Sequence, residues 1–309
     1  MVLNMKVNKQ KIITWIGLLL VCIGAFGIVA TLFGGNNTAE EKSNKLHYLC
    51  IGVDKYEIMG EREPVYNSIG QGDGIFLITL DKDNGLVDII AVPRDTMVTI
   101  QKYYSNMEYI GEEKAQICLQ YAFADGKERS CELMVDRVEE LFDGIEIDGY
   151  VAINMVSVLE MNEAVGGVTV EVNNEDTAQK MGVEVGSSVH LTDENISLYL
   201  QSRDKSEAKS AYGRMDRLKD YVKAFIPKAI EKVKENPSFI VEVMNLLGKN
   251  MVTDLGVSDI TEIVSVIENL SVDKISYQIL EGKVIVGSDG LEEFYPNQFK
   301  LKKIIKDMK

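Results

Sequence analysis

The sequence predicts an α/β fold, because apolar runs of strand length alternate with segments of helical periodicity. Residues 47–53 form a continuous apolar run, whereas residues 132–142 repeat their apolar side chains at helical spacing. The chain has 309 residues, of which 46% are hydrophobic, and this is enough apolar material for one large domain or two modest ones. The same composition excludes an intrinsically disordered protein, which would contain fewer apolar residues.

The N-terminal region predicts a membrane anchor. Residues 12–33 contain no charged side chain over 22 positions, which is long enough for a helix to span a bilayer core of about 30 Å. The alternative is a cleaved signal peptide, whose apolar region is usually about 7–15 residues. Three lysines lie within residues 1–11, so that segment is predicted to be a cytoplasmic tail. A polar linker over 34–46 would then lead to an extracellular domain, which predicts a single-pass protein of the cell membrane.

A β-hairpin is predicted early in that domain. Residues 74–80 and 86–92 are apolar and rich in β-branched side chains, and the sequence DKDNG between them suits a turn. Residues 150–153 read as another short strand. A helix over 155–165 follows, ends at Gly166 and Gly167, and leads into the strand sequence VTVEV.

Two further helices are predicted before residue 236. Thr192 is expected to cap a helix that runs towards Ser202. A long helix is expected to begin near Tyr212, and Pro227 should kink or interrupt it.

Residues 227–309 are predicted to be a C-terminal extension that packs on the same domain, since no long Pro/Gly/Ser linker separates them from the rest. The sequences FIVEVMNLLG and DITEIVSVIENL have helical spacing, and strands are expected near KISYQIL and KVIVG. The chain ends in a basic amphipathic segment, QFKLKKIIKDMK.

Charge and metal-binding residue types exclude two classes of function. The formal net charge of −15 disfavours a nucleic-acid-binding protein, which needs a basic surface against the phosphates. Two histidines and four scattered cysteines exclude a His/Cys-rich zinc site. Cys118 and Cys131 flank a polar turn, and they form either a disulfide, which an extracellular location permits, or two reduced buried thiols.

The predicted hairpin brings Asp73 and Arg94 to its open end, because each lies just beyond one of its two strands. Asp54 ends the earlier strand and joins them at one edge if both strands share a sheet. Two carboxylates and an arginine suit a divalent metal ion together with an oxyanion. Each residue taken singly also has an ordinary structural explanation. An aspartate after a strand is usually a turn residue, and the arginine and aspartate of PRD often form a local ion pair.

A second polar cluster contains three arginines. Arg203 lies at a predicted helix end, and Arg214 and Arg217 share a face of the next helix. Arginine donates paired hydrogen bonds in a fixed geometry, so this cluster suits an anionic group such as pyrophosphate. The alternative is an exposed, charged start of a helix.

The order of these motifs resembles the LytR-CpsA-Psr family. The resemblance rests on GVD, GQGDGIFLITLDKDNGLVDIIAVPRDTM, DGYVAINMVSVLEMNEAVGGVTVEV, LTDENISLYLQSRD and YGRMDRLKDY, which together cover residues 47–226. It implies an α/β/α sandwich with a mixed central β-sheet and an apolar groove for a lipid. It also implies a Mg²⁺-dependent phosphotransferase, which transfers a teichoic acid or capsular polysaccharide from undecaprenyl pyrophosphate to peptidoglycan.

The resemblance assigns roles to individual residues. Asp54 and Asp73 match the family's metal-associated acids, and Asp73 with Arg94 are the predicted catalytic residues. A free acid such as Asp73 is alternatively a base for the acceptor hydroxyl. The predicted contacts to the pyrophosphate are made by Arg94, Arg203, Arg214 and Arg217.

Several positions depart from the family pattern. Gln201 replaces the first arginine of an R-S-R motif, and Leu218 replaces a glutamine that commonly follows G-R-x-x-R. An acid that commonly precedes the G-R is missing, and Gly72 and Gly74 replace two hydroxyl residues of S-D-T. These departures support an alternative, in which the chain is a catalytically weakened regulatory module that binds polyprenyl phosphate at the cell surface. An adhesion or wall-scaffolding domain is the third possibility.

Overall fold

The computed structural model of the chain describes residues 44–63, 68–202, 210–236, 238–268 and 270–309. The predicted cytoplasmic tail and anchor, and most of the predicted linker, lie outside the described residues. Within the described ranges, no helix is long and apolar enough to cross a membrane.

The described part of the chain contains twelve strands and nine α-helices. The strands are β1 (Lys45–Val53), β2 (Gly72–Asp81), β3 (Leu86–Ala91), β4 (Met97–Tyr103), β5 (Tyr109–Gln116), β6 (Gly149–Ile153), β7 (Val168–Val172), β8 (Ser187–Leu191), β9 (Met251–Thr253), β10 (Ile275–Ile279), β11 (Gly282–Val286) and β12 (Glu292–Pro296). The helices are α1 (Cys118–Ala122), α2 (Glu128–Leu141), α3 (Met155–Ala164), α4 (Glu175–Met181), α5 (Ile196–Gln201), α6 (Ser210–Glu235), α7 (Phe239–Leu247), α8 (Val257–Glu268) and α9 (Gln298–Met308).

A mixed six-stranded sheet forms the centre, in the order β10-β3-β2-β1-β6-β9. Strand β1 is antiparallel to β2 and parallel to β6, and β3 is parallel to β10. Strands β1, β2 and β6 are buried along nearly their whole length, so both faces of the sheet centre are covered. This explains their continuous apolar sequences, since a strand exposed on one face would alternate polar and apolar residues. The α/β prediction is confirmed.

The C-terminal part of the chain supplies both edge strands of the central sheet, β9 and β10. The predicted boundary between residues 226 and 227 lies inside α6. Hairpin β11–β12 packs beside the strand that follows Arg94, through a bridge between Thr96 and Phe294. The C-terminal part therefore completes the sheet whose N-terminal strands carry the predicted site.

The predicted cap at Thr192 is wrong, and of the two outcomes predicted for Pro227 the interruption is wrong, whereas the kink stays a prediction. Thr192 does not cap a helix, because α5 begins at Ile196 and the Thr192 carbonyl accepts the Ile196 N–H at 2.9 Å in the preceding turn. Pro227 does not interrupt the long helix, since α6 runs unbroken through it. Buried neighbours on both sides of the proline, Phe225, Ile226 and Ala229, hold α6 in the core, and packing of this kind outweighs the loss of one helical hydrogen bond.

Candidate active site

The turn between β1 and β2 brings the two predicted acids together. Strand β1 ends at Val53, which pairs with Gly72, so Asp54, just beyond β1, and Asp73, the second residue of β2, lie at the same end of these two strands. The backbone carbonyl of Gln71 accepts the N–H groups of both Asp54 and Asp73, each at 3.0 Å. In return, the Gln71 N–H donates to Asp54 Oδ1 at 2.5 Å. Gln71 therefore fixes the position of both acids from between them.

Gly70 makes this turn possible. Its backbone is left-handed, with φ of +89°, and a Cβ atom placed there would come within 2.5 Å of the Val53 Cγ1 atom. Only glycine adopts this conformation without strain at such close approach. Gly70 and Gln71 were missed as site residues from the sequence, although the motif GQGD directly before the strand is typical of a tight turn.

Arg94 lies at the open end of the β2–β3 hairpin and forms an ion pair with Asp73. The sequence of the hairpin predicts that the two residues meet at this end. The Arg94 Nη2 group donates to the Gln71 side-chain Oε1 at 2.7 Å, and its Nε lies 3.5 Å from Asp95 Oδ1. The Arg94 side chain retains 18% of its exposure. The guanidinium is therefore held in place by protein groups while one part of it still faces solvent.

The charges of the cluster perturb one another. The pKa of Asp54 is raised, first because its surroundings desolvate the carboxylate and then because the Asp73 carboxylate is near. Asp54 retains solvent access at the rim of the turn, so it can exchange protons. Burial alone would lower the pKa of Arg94, but the surrounding anionic groups, Asp73 foremost, outweigh burial and raise it. Arg94 is therefore a permanent cation, and the Asp54 carboxyl keeps its proton to a higher pH than an ordinary aspartate.

Cys118 forms the buried floor of this cluster, where sequence reasoning did not place it. Its Sγ atom lies 3.3 Å from the Arg94 Nη2 group, and burial raises the pKa of the thiol to about 12. Cys118 and Cys131 are both free and buried, which excludes the disulfide and confirms the alternative of two reduced thiols. A neutral thiol packs against Arg94 without competing for its charge.

The second arginine cluster is only partly described. Arg203 lies outside the described residues, as does the Arg214 side chain. Arg217, on α6, is 6% exposed and donates through Nε to the Tyr199 carbonyl at 2.8 Å and through Nη2 to the Ser202 carbonyl. These carbonyls end α5, so Arg217 ties the C-terminus of that helix to α6. The pyrophosphate contact of these three arginines stays a prediction.

An apolar crevice begins at the Asp73–Arg94 pair and runs between the central sheet, α6 and hairpin β11–β12. The crevice is narrow. The volume that the centre of a water molecule can occupy is about 20 Å³, which is room for roughly one water. Leu218 lies in its wall, so this departure from the family pattern replaces a polar side chain with an apolar one inside the crevice. The residues that line it include Ile75, Phe76, Val92, Met215, Leu218, Val284 and Phe294.

A metal ion would have few protein ligands here. In the described part of the chain, no three His, Cys, Asp or Glu side chains are arranged to hold a metal. Asp54 and Asp73 offer two carboxylates on either side of Gln71, and the raised pKa of Asp54 shows that its negative charge is unfavourable there. A divalent cation would relieve that repulsion. Mg²⁺ commonly takes only one or two carboxylates and fills its other positions with phosphate oxygens and water, so the pair fits such an ion.

Comparison with known proteins places the chain in a family context. The model of the LytR_cpsA_psr family matches residues 31–309. The chain is 22% identical over 281 residues to the Bacillus subtilis polyisoprenyl-teichoic acid–peptidoglycan teichoic acid transferase TagV, covering 88% of this chain and 66% of TagV. It is 28% identical over 222 residues to the TagU transferase of Bacillus mycoides, covering 72% of this chain and 64% of that protein. The biofilm regulatory protein A of Streptococcus mutans is 23% identical over 282 residues, with coverages of 83% and 66%. The chain thus spans just under two thirds of the length of these relatives.

Solved structures share the fold. The gbs0355 protein of Streptococcus agalactiae superposes with a TM-score of 0.66 at 20% identity, over 85% of this chain and 86% of that one. Bacillus subtilis TagV gives a TM-score of 0.60 at 21% identity, over 86% and 96% of the two chains. A structure described as TagT bound to LIIa-WTA gives a TM-score of 0.62 at 20% identity, over 88% and 93%.

Proposed function

Because the chain belongs to the LytR-CpsA-Psr family, we propose that it transfers an anionic glycopolymer from a polyprenyl-pyrophosphate carrier to peptidoglycan. Relatives that match most of the chain are named as teichoic acid transferases. A glycopolymer of teichoic acid or capsular polysaccharide type is the proposed substrate. The predicted anchor over residues 12–33 would hold the domain at the outer face of the cell membrane. In the domain itself, helices on both faces of the central sheet would form an α/β/α sandwich.

The observation that carries this proposal is the junction of a charged edge with an apolar crevice. Asp73 and Arg94 form the polar end of the crevice, and Ile75, Phe76 and Phe294 line its apolar walls. A lipid pyrophosphate has this same division, with a charged head and an apolar tail. The crevice must widen to admit a polyprenyl chain, since its present width accommodates about one water.

The proposed reaction is a phosphoryl transfer. A peptidoglycan hydroxyl oxygen attacks the phosphorus that carries the glycopolymer. The bond from this phosphorus to the bridging oxygen of the pyrophosphate breaks, and polyprenyl phosphate leaves with the electron pair. Arg94 would donate to the phosphate oxygens as negative charge builds on them, exchanging part of its contact with Asp73 and Gln71 for the substrate.

Asp54 and Asp73 would hold Mg²⁺ in this proposal. When bound, the ion would neutralise charge on the pyrophosphate and stabilise the leaving phosphate. The two acids differ in their suitability as a base for the acceptor hydroxyl. Asp73 is engaged by Arg94, whereas Asp54 retains solvent access and has a raised pKa, which favours proton uptake near neutral pH. Because a bound cation favours the ionised carboxylate, Asp54 acts either as a ligand of Mg²⁺ or as this base, and not as both at once.

Arg203 and Arg214 would contact the pyrophosphate from the second cluster, as the family motifs imply. Arg214 lies one helical turn before Leu218 in α6, and Leu218 lines the crevice. The start of α6 is therefore close to the proposed binding site. The bonds from Arg217 to α5 support its further role in holding that start in place.

The test is transfer by the purified full chain in detergent. A polyprenyl-pyrophosphate-linked oligosaccharide and peptidoglycan fragments would be incubated with Mg²⁺, and the released polyprenyl phosphate and the joined product would be measured. Arg94→Ala should abolish transfer, and a chelator should reduce it. Arg129→Ala, which removes a half-exposed arginine paired with Glu132 on α2, is the matched control and should not change transfer. Absence of turnover with several acceptors, despite tight binding of the lipid, would refute the enzymatic proposal.

The second candidate is a polyprenyl-phosphate-binding regulatory module. The observation that favours it is the apolar Leu218 in the crevice wall, together with Gln201 in place of an arginine. The S. mutans relative named as a biofilm regulatory protein is compatible with this class. If the wild-type chain binds lipid without turnover, and the double variant Gln201→Arg/Leu218→Gln gains transfer, the regulatory candidate is favoured. An adhesion domain would show no affinity for pyrophosphate in either form.

A further inference from the structure

Helix α9 carries a basic face that the proposed reaction does not use. Residues 298–309 contain five lysines and one aspartate, whereas residues 34–309 as a whole carry a formal charge of −18, since the chain is −15 and residues 1–33 hold three lysines and no acid. Such a local reversal of charge is typical of a surface that meets an anionic partner.

The two faces of α9 differ sharply. Leu301, Ile305 and Met308 are buried against the domain, so the apolar stripe of the helix is already used in folding. The opposite stripe begins with Phe299, which is 82% exposed, and continues at helical spacing through three lysines. These are Lys302, Lys303 and Lys306, all of them exposed.

Some of the positive charge of α9 is already compensated. Lys300 pairs with Glu281, and Lys309 lies 3.8 Å from Asp143. Glu140 and Asp143 also line a groove opposite Lys302 and Lys306. Within the described residues, however, no carboxylate comes within ion-pair distance of Lys302, Lys303 or Lys306. The net charge of the exposed stripe therefore remains positive.

The position of α9 relative to the start of the domain indicates its partner. Lys45, the first residue of β1, donates through Nζ to the Asp307 carbonyl at 2.7 Å. The predicted anchor ends at residue 33, and the twelve positions from there to Lys45 span at most about 40 Å when fully extended. Helix α9 is itself about 16 Å long. The predicted anchor would therefore hold this helix within reach of the bilayer surface.

We propose that the outer face of α9, formed by Phe299, Lys302, Lys303 and Lys306, docks onto the anionic lipid surface of the membrane that holds the anchor. The lysines would meet lipid phosphates, and Phe299 would enter the interface, as basic amphipathic helices do. A soluble polyanion would pair with the lysines but would leave Phe299 exposed to water. A soluble partner would also not require α9 to lie next to Lys45, where the predicted tether to the membrane ends. The membrane is therefore the favoured partner.

The test places a fluorescent reporter at Phe299 in the full chain. Trp15 is the single tryptophan and lies in the predicted anchor, so a Trp15→Phe background would be combined with Phe299→Trp. The protein would be reconstituted into vesicles of phosphatidylcholine alone, or of phosphatidylcholine and phosphatidylglycerol in equal parts. Quenching by brominated lipid acyl chains measures contact with the bilayer. Val185→Trp in the same background is the control, because Val185 is 57% exposed and lies in the turn between α4 and β8.

We expect quenching of the residue-299 reporter to be severalfold stronger in anionic vesicles than in neutral ones, and severalfold stronger than that of the residue-185 reporter. High salt and the triple variant Lys302→Gln/Lys303→Gln/Lys306→Gln should remove the difference. Far-ultraviolet circular dichroism would verify that the triple variant is folded. Equal quenching in both lipids or at both positions would overturn the proposal. No transfer is measured, so this result is independent of the proposed function.

Discussion

Arg94, which is partly exposed, and Arg217, which is buried, are predicted to bind the same pyrophosphate, yet their surroundings differ. Arg94 contacts side chains, namely the carboxylates of Asp73 and Asp95 and the amide of Gln71. Arg217 donates to backbone carbonyls at the end of α5. A side chain can rotate away when a phosphate arrives, whereas a backbone carbonyl is fixed by its helix. The comparison indicates that Arg94 is free to exchange partners for substrate and that Arg217 chiefly holds two helices together.

The largest expected effect is the loss of transfer in Arg94→Lys. Lysine retains the charge but has no planar fork, so it cannot contact Asp73, Gln71 and a phosphate oxygen in the present geometry. Removal of one such donor from a transition state costs about 10²–10³-fold in rate. The rate of polyprenyl phosphate release measures this, and the melting temperature of the variant should change little. A large fall in melting temperature with normal turnover by the folded fraction would show that Arg94 is structural instead.

Arg217→Lys should give the reverse result. One charge-assisted hydrogen bond to the end of α5 would be lost, which lowers the free energy of unfolding by about 2 kcal/mol. Chemical denaturation of the full chain in detergent checks this value. Turnover per folded molecule should fall much less than in Arg94→Lys. If turnover per folded molecule falls to the same extent in both variants, Arg217 contacts the pyrophosphate directly and the contrast between the two arginines disappears.

The same contrast explains how far the sequence predicts this molecule. The meeting of Asp73 and Arg94 follows from hairpin symmetry, because antiparallel pairing depends only on strand length and turn position. The bonds of Arg217 do not follow from any local pattern, since they depend on how α5 packs against α6. The strand near KISYQIL was predicted as β10, but its place at the edge of the sheet was not, because β10 pairs with β3 across more than 180 positions of sequence. The sequence left Cys118 open between a disulfide and a reduced buried thiol, whereas tertiary packing places it under Arg94.

A smaller effect is expected in the crevice wall from Leu218→Gln. Leu218 is 7% exposed and belongs to the hydrophobic core, so an amide placed there would lose hydrogen bonds to water. This should lower the free energy of unfolding by about 1–3 kcal/mol. Leu218→Met, which conserves volume and polarity, is the matched control and should cost less than about 1.5 kcal/mol. Equal stability of the glutamine variant and the wild type would show that a polar partner lies within reach, as the usual family residue implies.

The smallest effect concerns the pH dependence of stability at Asp54. Its pKa in the folded chain is raised by desolvation and by Asp73, so the folded state binds the proton more tightly than the unfolded state. Between the unfolded and folded pKa values, the native state keeps a proton that the unfolded chain has released, and stability therefore falls as pH rises through this window. Asp54→Asn should remove this fall and raise stability at neutral pH, by no more than about 1 kcal/mol because Asp54 is solvent-accessible. Asp193→Asn, at an exposed turn position, makes the same change of charge and should have no such effect.

Mg²⁺ should reduce the fall of stability with pH in the wild type, since a cation favours the ionised carboxylate, and should have no comparable effect on Asp54→Asn. Urea denaturation from acidic to neutral pH, with and without Mg²⁺, measures both effects, and a wild-type stability that rises with pH where Asp54→Asn is flat would contradict the raised pKa.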